Sequence, residues 1–275
     1  MSAIEEWNDR VETHHAQSLR AQDESKVPDD FWVPFVSSFR ADPYRDDDPV
    51  LARLAREVGP AKTLLDVGGG AGRFALPLAL RCRHVTVVEP SHSMLKELRA
   101  GAKEHGIGNV SAVEGIWEEA DVEPADVILC SHVLYGVADI EPFVRKLDRN
   151  AGERVLALMF VDSPQSELSA LWEALHDEKR TPLPALPQLL RALWEMDIYP
   201  DIEMVGTRRP QAFEDRGGAL ERLRQRLYVV PDTEQDRRLV MALDEMLVET
   251  PDGLIIRNTQ IRHQGLLMWR PTGSV

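Results

Sequence analysis

The chain has 275 residues, 43% hydrophobic and 28% charged, a balance that excludes wholesale disorder in a chain longer than the usual single domain of about 100–150 residues. Lysine plus arginine number 32 against 46 aspartate plus glutamate, for a net charge of −14, which repels nucleic-acid phosphates unless a local basic patch intervenes. No apolar run approaches the roughly 18 residues of a membrane-spanning helix, the start at Met1 lacks signal-peptide character, and Cys82 and Cys130 stand apart without metal-ligand spacing, so the expectation is a cytoplasmic protein with no membrane partner and no metal.

Residues 1–60 read as an N-terminal helical cap. Ile4, Trp7, Val11 and His14 or His15 recur at helical spacing, as do Val50, Leu51, Leu54, Ala55 and Val58 ahead of Gly59-Pro60. Between these helices an aromatic cluster with Phe31, Trp32 and Phe35 either packs on the core or covers a pocket, and Asp46-Asp47-Asp48 reads as a solvated loop and helix start. From residue 62 strand and helix alternate. Apolar strands are expected at 62–67, 84–89, 109–114, 125–131 and 153–161, and helices at 73–82, 91–105 and 139–149, a pattern that builds a parallel sheet with helices on both faces. Pro77 falls in an early turn, where it costs least, and Ser91 is placed to cap the helix that carries Met94, Leu95 and Leu98.

The α/β core is therefore bounded at 61–162. Residues 163–200 interrupt the alternation as a helical insertion or lid, with Trp172, Trp194 and a leucine-rich stretch that either lines an apolar pocket or simply covers the sheet. Residues 201–275 complete the sheet, with a strand at 202–205, helices over 211–228 and 233–248, a final strand at 263–269 and a loose end.

The chemistry is concentrated in Asp66-Val67-Gly68-Gly69-Gly70-Ala71-Gly72, directly behind the first strand, and in Glu89 at the end of the second. Alternating glycines at a strand end let the backbone turn sharply and approach a ligand, and an acidic residue about 20 positions on is placed to accept hydrogen bonds from ribose hydroxyls. An adenosine-containing cofactor is implied. A dehydrogenase fingerprint needs a third glycine where Arg73 stands.

With Asp66 ahead of the glycines and Gly72 two residues after Gly70, the loop instead resembles the first motif of class I S-adenosylmethionine-dependent methyltransferases. Three further blocks carry the likeness in order: Val87–Leu95, Val113–Trp117 and Asp126–Tyr135. The resemblance implies a doubly wound, Rossmann-like sheet, mostly parallel with an antiparallel last strand. It implies S-adenosylmethionine as cofactor, with S-adenosylhomocysteine as product. Gly68, Gly69 and Gly70 would meet the methionine part with Asp66 supporting the loop, Glu89 would hold the ribose, and Pro90 or Met94 would pack on adenine.

Gly115, Ile116 and Trp117 would complete the adenine pocket, although Ile116 stands where many family members carry an aspartate, and the alternative for Trp117 is a plain core aromatic. Ser131 and His132 would lie at the sulfonium end. His132 is the candidate general base and Tyr135 a second orienting group, against the plainer reading that His132 only packs or bonds the cofactor. His14, His15, Trp7, Phe31 and Trp32 are candidates to line the acceptor pocket. The resulting expectation is methyl transfer to a small-molecule acceptor; a cofactor-binding sensor or subunit, or a protein-modifying methyltransferase, stands as the alternative, with monomer and homodimer both open.

Overall fold

The computed structural model describes residues 1–22, 30, 32, 33, 36, 39–210 and 212–273. Phe31 and Phe35 of the aromatic cluster lie outside the described residues, as do the last two residues of the chain. The chain opens with α1 (Ala3–Ala21) and α2 (Pro49–Leu54). There follow β1 (Thr63–Val67), α3 (Ala75–Ala79), β2 (His84–Glu89), α4 (His92–Glu104), β3 (Val110–Glu114), β4 (Ala125–Ser131), α5 (Ile140–Asn150) and β5 (Ala151–Phe160). The remainder comprises α6 (Ser169–His176), α7 (Leu186–Glu195), β6 (Asp201–Arg208), α8 (Arg216–Arg226), α9 (Glu234–Met246), β7 (Leu247–Thr250), β8 (Gly253–Ile256) and β9 (Arg262–Trp269).

Seven strands form one sheet in the order β3-β2-β1-β4-β5-β9-β6. The first five are mutually parallel, and β9 runs antiparallel to both neighbours, β5 and β6. Strand order reverses between β1 and β4, so a crevice opens outside their carboxyl ends, the place where open α/β sheets bind ligands. Because β6 points the same way as β1 and β9 the opposite way, the end of β6 and the start of β9 reach that same edge.

The strands are apolar on both faces because both faces are covered. Leu65, Val67, Ile128 and Cys130 pack with Trp7 and Val11 of α1 and with Phe143 and Leu147 of α5. Leu64, Val85, Val87 and Leu129 pack the other way, onto Leu51, Leu76, Leu95 and Leu98. Ser2 caps α1 in a capping box with Glu5, and the Glu195 carboxylate of α7 accepts from the N–H groups of Ala3 and Ile4 at 2.5 and 3.0 Å. Asp48 caps α2, and Ser91 caps α4 through the Met94 N–H at 3.1 Å.

Three elements depart from the sequence reading. The helix expected at 73–82 is regular only over Ala75–Ala79; Pro77 cannot donate to the Arg73 carbonyl, which accepts from Arg45 Nη2 at 2.9 Å instead. The helix expected over 233–248 stops at Met246, and Leu247–Thr250 turns through Pro251-Asp252 into a hairpin with Gly253–Ile256. The segment 163–200 is not a single layer. α7 packs on the sheet beside α1, whereas Leu171, Trp172 and Leu175 of α6 join Leu223 of α8, Leu239 and Leu243 of α9 and Ile256 of the hairpin in a separate core.

Candidate active site

The loop after β1 is shaped by positive backbone angles at Gly68 (φ +68°) and Gly70 (φ +55°). A side chain at Gly68 would also drive into Val133, and a Cβ at Gly69 would stand 2.8 Å from Asp66 Oδ2. Only at Gly70 is there room, with Met94 Sδ 3.9 Å from the place a Cβ would take. Close packing from beneath thus requires Gly68 and Gly69, while Gly70 leaves an open approach.

Glu89 ties the loop to the next strand. Its Oε2 accepts from the Gly70 N–H and its Oε1 from the Ser91 N–H, each at 3.0 Å. Burial, outweighing these two bonds, raises its pKa. A carboxylate offers about four acceptor positions, so one remains on each oxygen for a vicinal diol. Asp66 lies behind the loop, 2% exposed, with its Oδ1 unpartnered; burial, then the nearby Glu89, pushes its pKa up to about 8.

Met94 is buried at the first turn of α4, Pro90 is exposed, and Gly115 (φ +157°) follows β3. Ile116 is an apolar side chain left 46% exposed. Trp117, by contrast, is in the core: its indole N–H donates to the Phe143 carbonyl at 3.3 Å, and Lys146 Nζ sits 4.7 Å from the ring centre. Of the two residues expected to complete the pocket, Trp117 is packed in the core and Ile116 is open to solvent.

Ser131 ends β4, and His132 follows in the left-handed region (φ +59°), its N–H donating to the Leu158 carbonyl at 2.9 Å. His132 Nδ1 is 3.0 Å from Tyr135 Oη, and Nε2 is 3.0 Å from Gln264 Oε1. Tyr135 Oη accepts from the Phe160 N–H at 2.6 Å. One arrangement of protons satisfies every contact: Tyr135 donates to Nδ1 and Nε2–H donates to Gln264, which makes the imidazole neutral. Burial and the fields of Arg208, Arg73 and Arg262 pull its pKa down to about 4. The ring stacks on Phe160 with centroids 4.4 Å apart.

Of the N-terminal candidates, Trp7 is fully buried and donates to the Val137 carbonyl at 2.8 Å, and His14 is fixed between the Thr181 carbonyl at 2.7 Å and Arg180 Nη2 at 2.7 Å. Both are packing residues. His15 is exposed and lies against Gly136, beside the end of β4, and Trp32 is 39% exposed. Phe31 lies outside the described residues. Gln264, Arg208 and Arg262 reach the site from the last strands and were not anticipated; the only signal was period-two spacing of Arg262 and Gln264 in a strand whose partner ends in Arg208. Among the described residues no group of three or more His, Cys, Asp or Glu is arranged to hold a metal, and no helix is long and apolar enough to cross a membrane.

A seven-stranded sheet with one reversed strand, a glycine loop at its switch point and an acidic residue at the tip of the adjacent strand define a class I methyltransferase fold. Residues 64–151 match the methyltransferase-domain family. It is 30% identical over 97 residues to a ubiquinone biosynthesis O-methyltransferase of Rickettsia conorii, covering 35% of this chain and 33% of that one. It is 30% identical over 167 residues to the ribosomal RNA small subunit methyltransferase G of Cupriavidus necator, covering 58% and 64%. The chain thus spans about a third of the length of the first relative and under two thirds of the second. A Thiobacillus denitrificans S-adenosylmethionine-dependent methyltransferase, solved with S-adenosylhomocysteine, shares the fold at a TM-score of 0.50 and 15% identity, over 88% of this chain and 98% of that one.

Proposed function

We propose that the protein transfers the methyl group of S-adenosylmethionine to a small-molecule acceptor at the carboxyl edge of the sheet. The observation that carries this reading is the Glu89 clamp: its carboxylate holds the glycine loop by Gly70 N–H and keeps a free acceptor position on each oxygen for the ribose hydroxyls. Gly68, Gly69 and Gly70 would flank the methionine part, Asp66 would support the loop, and Met94, Pro90, Gly115 and Ile116 would surround adenine. Bound S-adenosylmethionine supplies an electrophilic methyl group on a sulfonium, and the chain's own work is alignment of the acceptor and exclusion of water.

Ser131, His132 and Tyr135 stand at the reacting end. His132 is neutral at ordinary pH and so is in the right charge state to accept a proton. Its Nε2 carries the proton given to Gln264 and its lone pair lies on Nδ1, where Tyr135 donates, so general-base action requires the acceptor's proton to reach Nδ1 through the Tyr135 hydroxyl, which takes one proton as it gives up its own. The ubiquinone-pathway relative supports a small acceptor, and the net charge of −14 disfavours a polynucleotide. Incubation with S-adenosylmethionine and a panel of small acceptors, read by S-adenosylhomocysteine formation, tests the proposal. Acceptor-dependent product supports it; a cofactor that binds while its methyl group goes only to protein or RNA overturns it.

A further inference from the structure

Three guanidinium groups, those of Arg208, Arg73 and Arg262, converge on His132, with Arg226 adjoining Arg208, in a chain with 14 more acidic than basic residues. Arg208 closes β6, Arg262 opens β9, and the two are direct cross-strand partners on the face that carries Gln264. Like charges directly opposite on a sheet repel, so the pair is unfavourable unless an anion sits between them. Arg262 packs its guanidinium 4.7 Å from the centre of the Phe160 ring, and Phe160 in turn stacks on His132. The cluster therefore continues directly from the reacting end.

The carboxylates present neutralise it only in part. Glu167 is shared at long range by Arg226 and Arg262, 3.7 Å from each. Asp48, 3.7 Å from Arg73, is already bound by Arg45 at 3.2 Å. Among the described residues Arg208 has no hydrogen bond and no ion pair, and partial burial, then the fields of Arg73, Arg262 and Arg226, lower its pKa against the opposing field of Glu167. Arg262 donates from Nη1 to the Pro164 carbonyl at 2.8 Å and turns Nη2 toward Glu167, while its Nε is buried without a partner. The unmet donors of Arg208, beside Arg262 with its unpartnered Nε, are a donor set suited to a carboxylate or phosphate.

We propose that Arg208 and Arg262 bind a carboxylate or phosphate group of the methyl acceptor, so that the acceptor is an anionic small molecule whose reactive end lies over His132. This rests on the methyl-transfer reading above and adds to it the chemical class of the substrate. It also assigns Gln264 and Phe160 as the floor between the anion and the reacting atom.

The test uses the full chain saturated with S-adenosylhomocysteine and titrated, by calorimetry and by the NMR signals of the His132 ring, with inorganic phosphate and separately with benzoate. The saturation step comes first, and its failure would count against the cofactor reading alone. Saturable binding that shifts the His132 signals is expected, weakened about tenfold or more in Arg208→Gln, partly retained in Arg208→Lys and unchanged in Arg209→Gln. Tighter binding of phosphate than benzoate identifies a phosphorylated acceptor, and the reverse order a carboxylic acid. Among the described residues Arg208 makes no side-chain hydrogen bond or ion pair whose loss would unfold the variant. Identical titrations of the wild type and Arg208→Gln, or equal weakening in Arg209→Gln, would overturn the proposal.

Discussion

Glu89 acts in two directions through one carboxylate, organising the loop by its bonds to Gly70 and Ser91 and presenting the remaining lone pairs to the crevice. Asp66 behind it is held protonated by burial, and its sign is opposite to that of an ordinary paired carboxylate. With a folded pKa raised to about 8, its contribution to stability is complete where unfolded aspartate is protonated and is lost as pH rises through 8. Asp66→Asn removes that titration, so the fall in melting temperature of the cofactor-free protein between pH 5 and 8 should be shallower in the variant; parallel curves would show that Asp66 ionises normally. For His132, a place at the reacting end predicts that His132→Ala lowers kcat by about a hundredfold or more while the affinity for S-adenosylhomocysteine changes less than about threefold. A variant with full turnover would remove His132 from the chemistry, and a large loss of cofactor affinity would assign it to cofactor packing.

At the scale of elements, the strands and helices between residues 62 and 160 are legible because each buried strand is a short apolar run closed by glycine or a capping residue, and each helix shows a single apolar face. The hairpin β7–β8 is not, because Leu247 and Val248 continue the apolar rhythm of α9 and only the chain reversal at Pro251-Asp252 distinguishes them. Glu89, Asp66 and the glycines were legible as a local motif. Gln264 touches His132 from 132 residues away, and the Arg208–Arg262 pair exists only through strand register, which no local spacing reveals. Trp117 was ambiguous because a motif names a residue and not the side of the chain on which it lies.

The fastening of α1 also belongs to this scale. His14 donates to the Thr181 carbonyl and faces the Arg180 guanidinium, so burial, with Arg180 adding to it, pulls its pKa down to about 4. A histidine buried neutral stabilises the fold above its ordinary range and ceases to do so as pH falls toward its folded value. Chemical denaturation should accordingly show a loss of about 2–3 kcal/mol between pH 7 and 4 that is missing in His14→Ala, itself less stable at pH 7. Equal acid losses in the two proteins would contradict this.

Across the whole molecule, charge is divided by location. The outside is acidic, which favours solubility and repels polyanions, whereas the carboxyl edge of the sheet gathers arginines from β6, β9, α8 and the loop after β1. The same edge collects Gly70, Glu89, Ser131 and His132, because strand order reverses there and the last antiparallel strand feeds its first residues into it. The proposed cofactor and acceptor sites thus share one topological origin, with α1 on one face and the separate core of α6, α8, α9 and the hairpin beside the arginines.

The central claim is that the glycine loop and Glu89 bind S-adenosylmethionine, and calorimetric titration of the full chain with S-adenosylhomocysteine tests it most directly. One site per chain is predicted, weakened in folded Glu89→Ala by about 1.5–3 kcal/mol for each charge-assisted bond lost, with no binding of NAD. Equal affinity in Glu89→Ala, or binding of NAD in place of S-adenosylhomocysteine, would contradict the account.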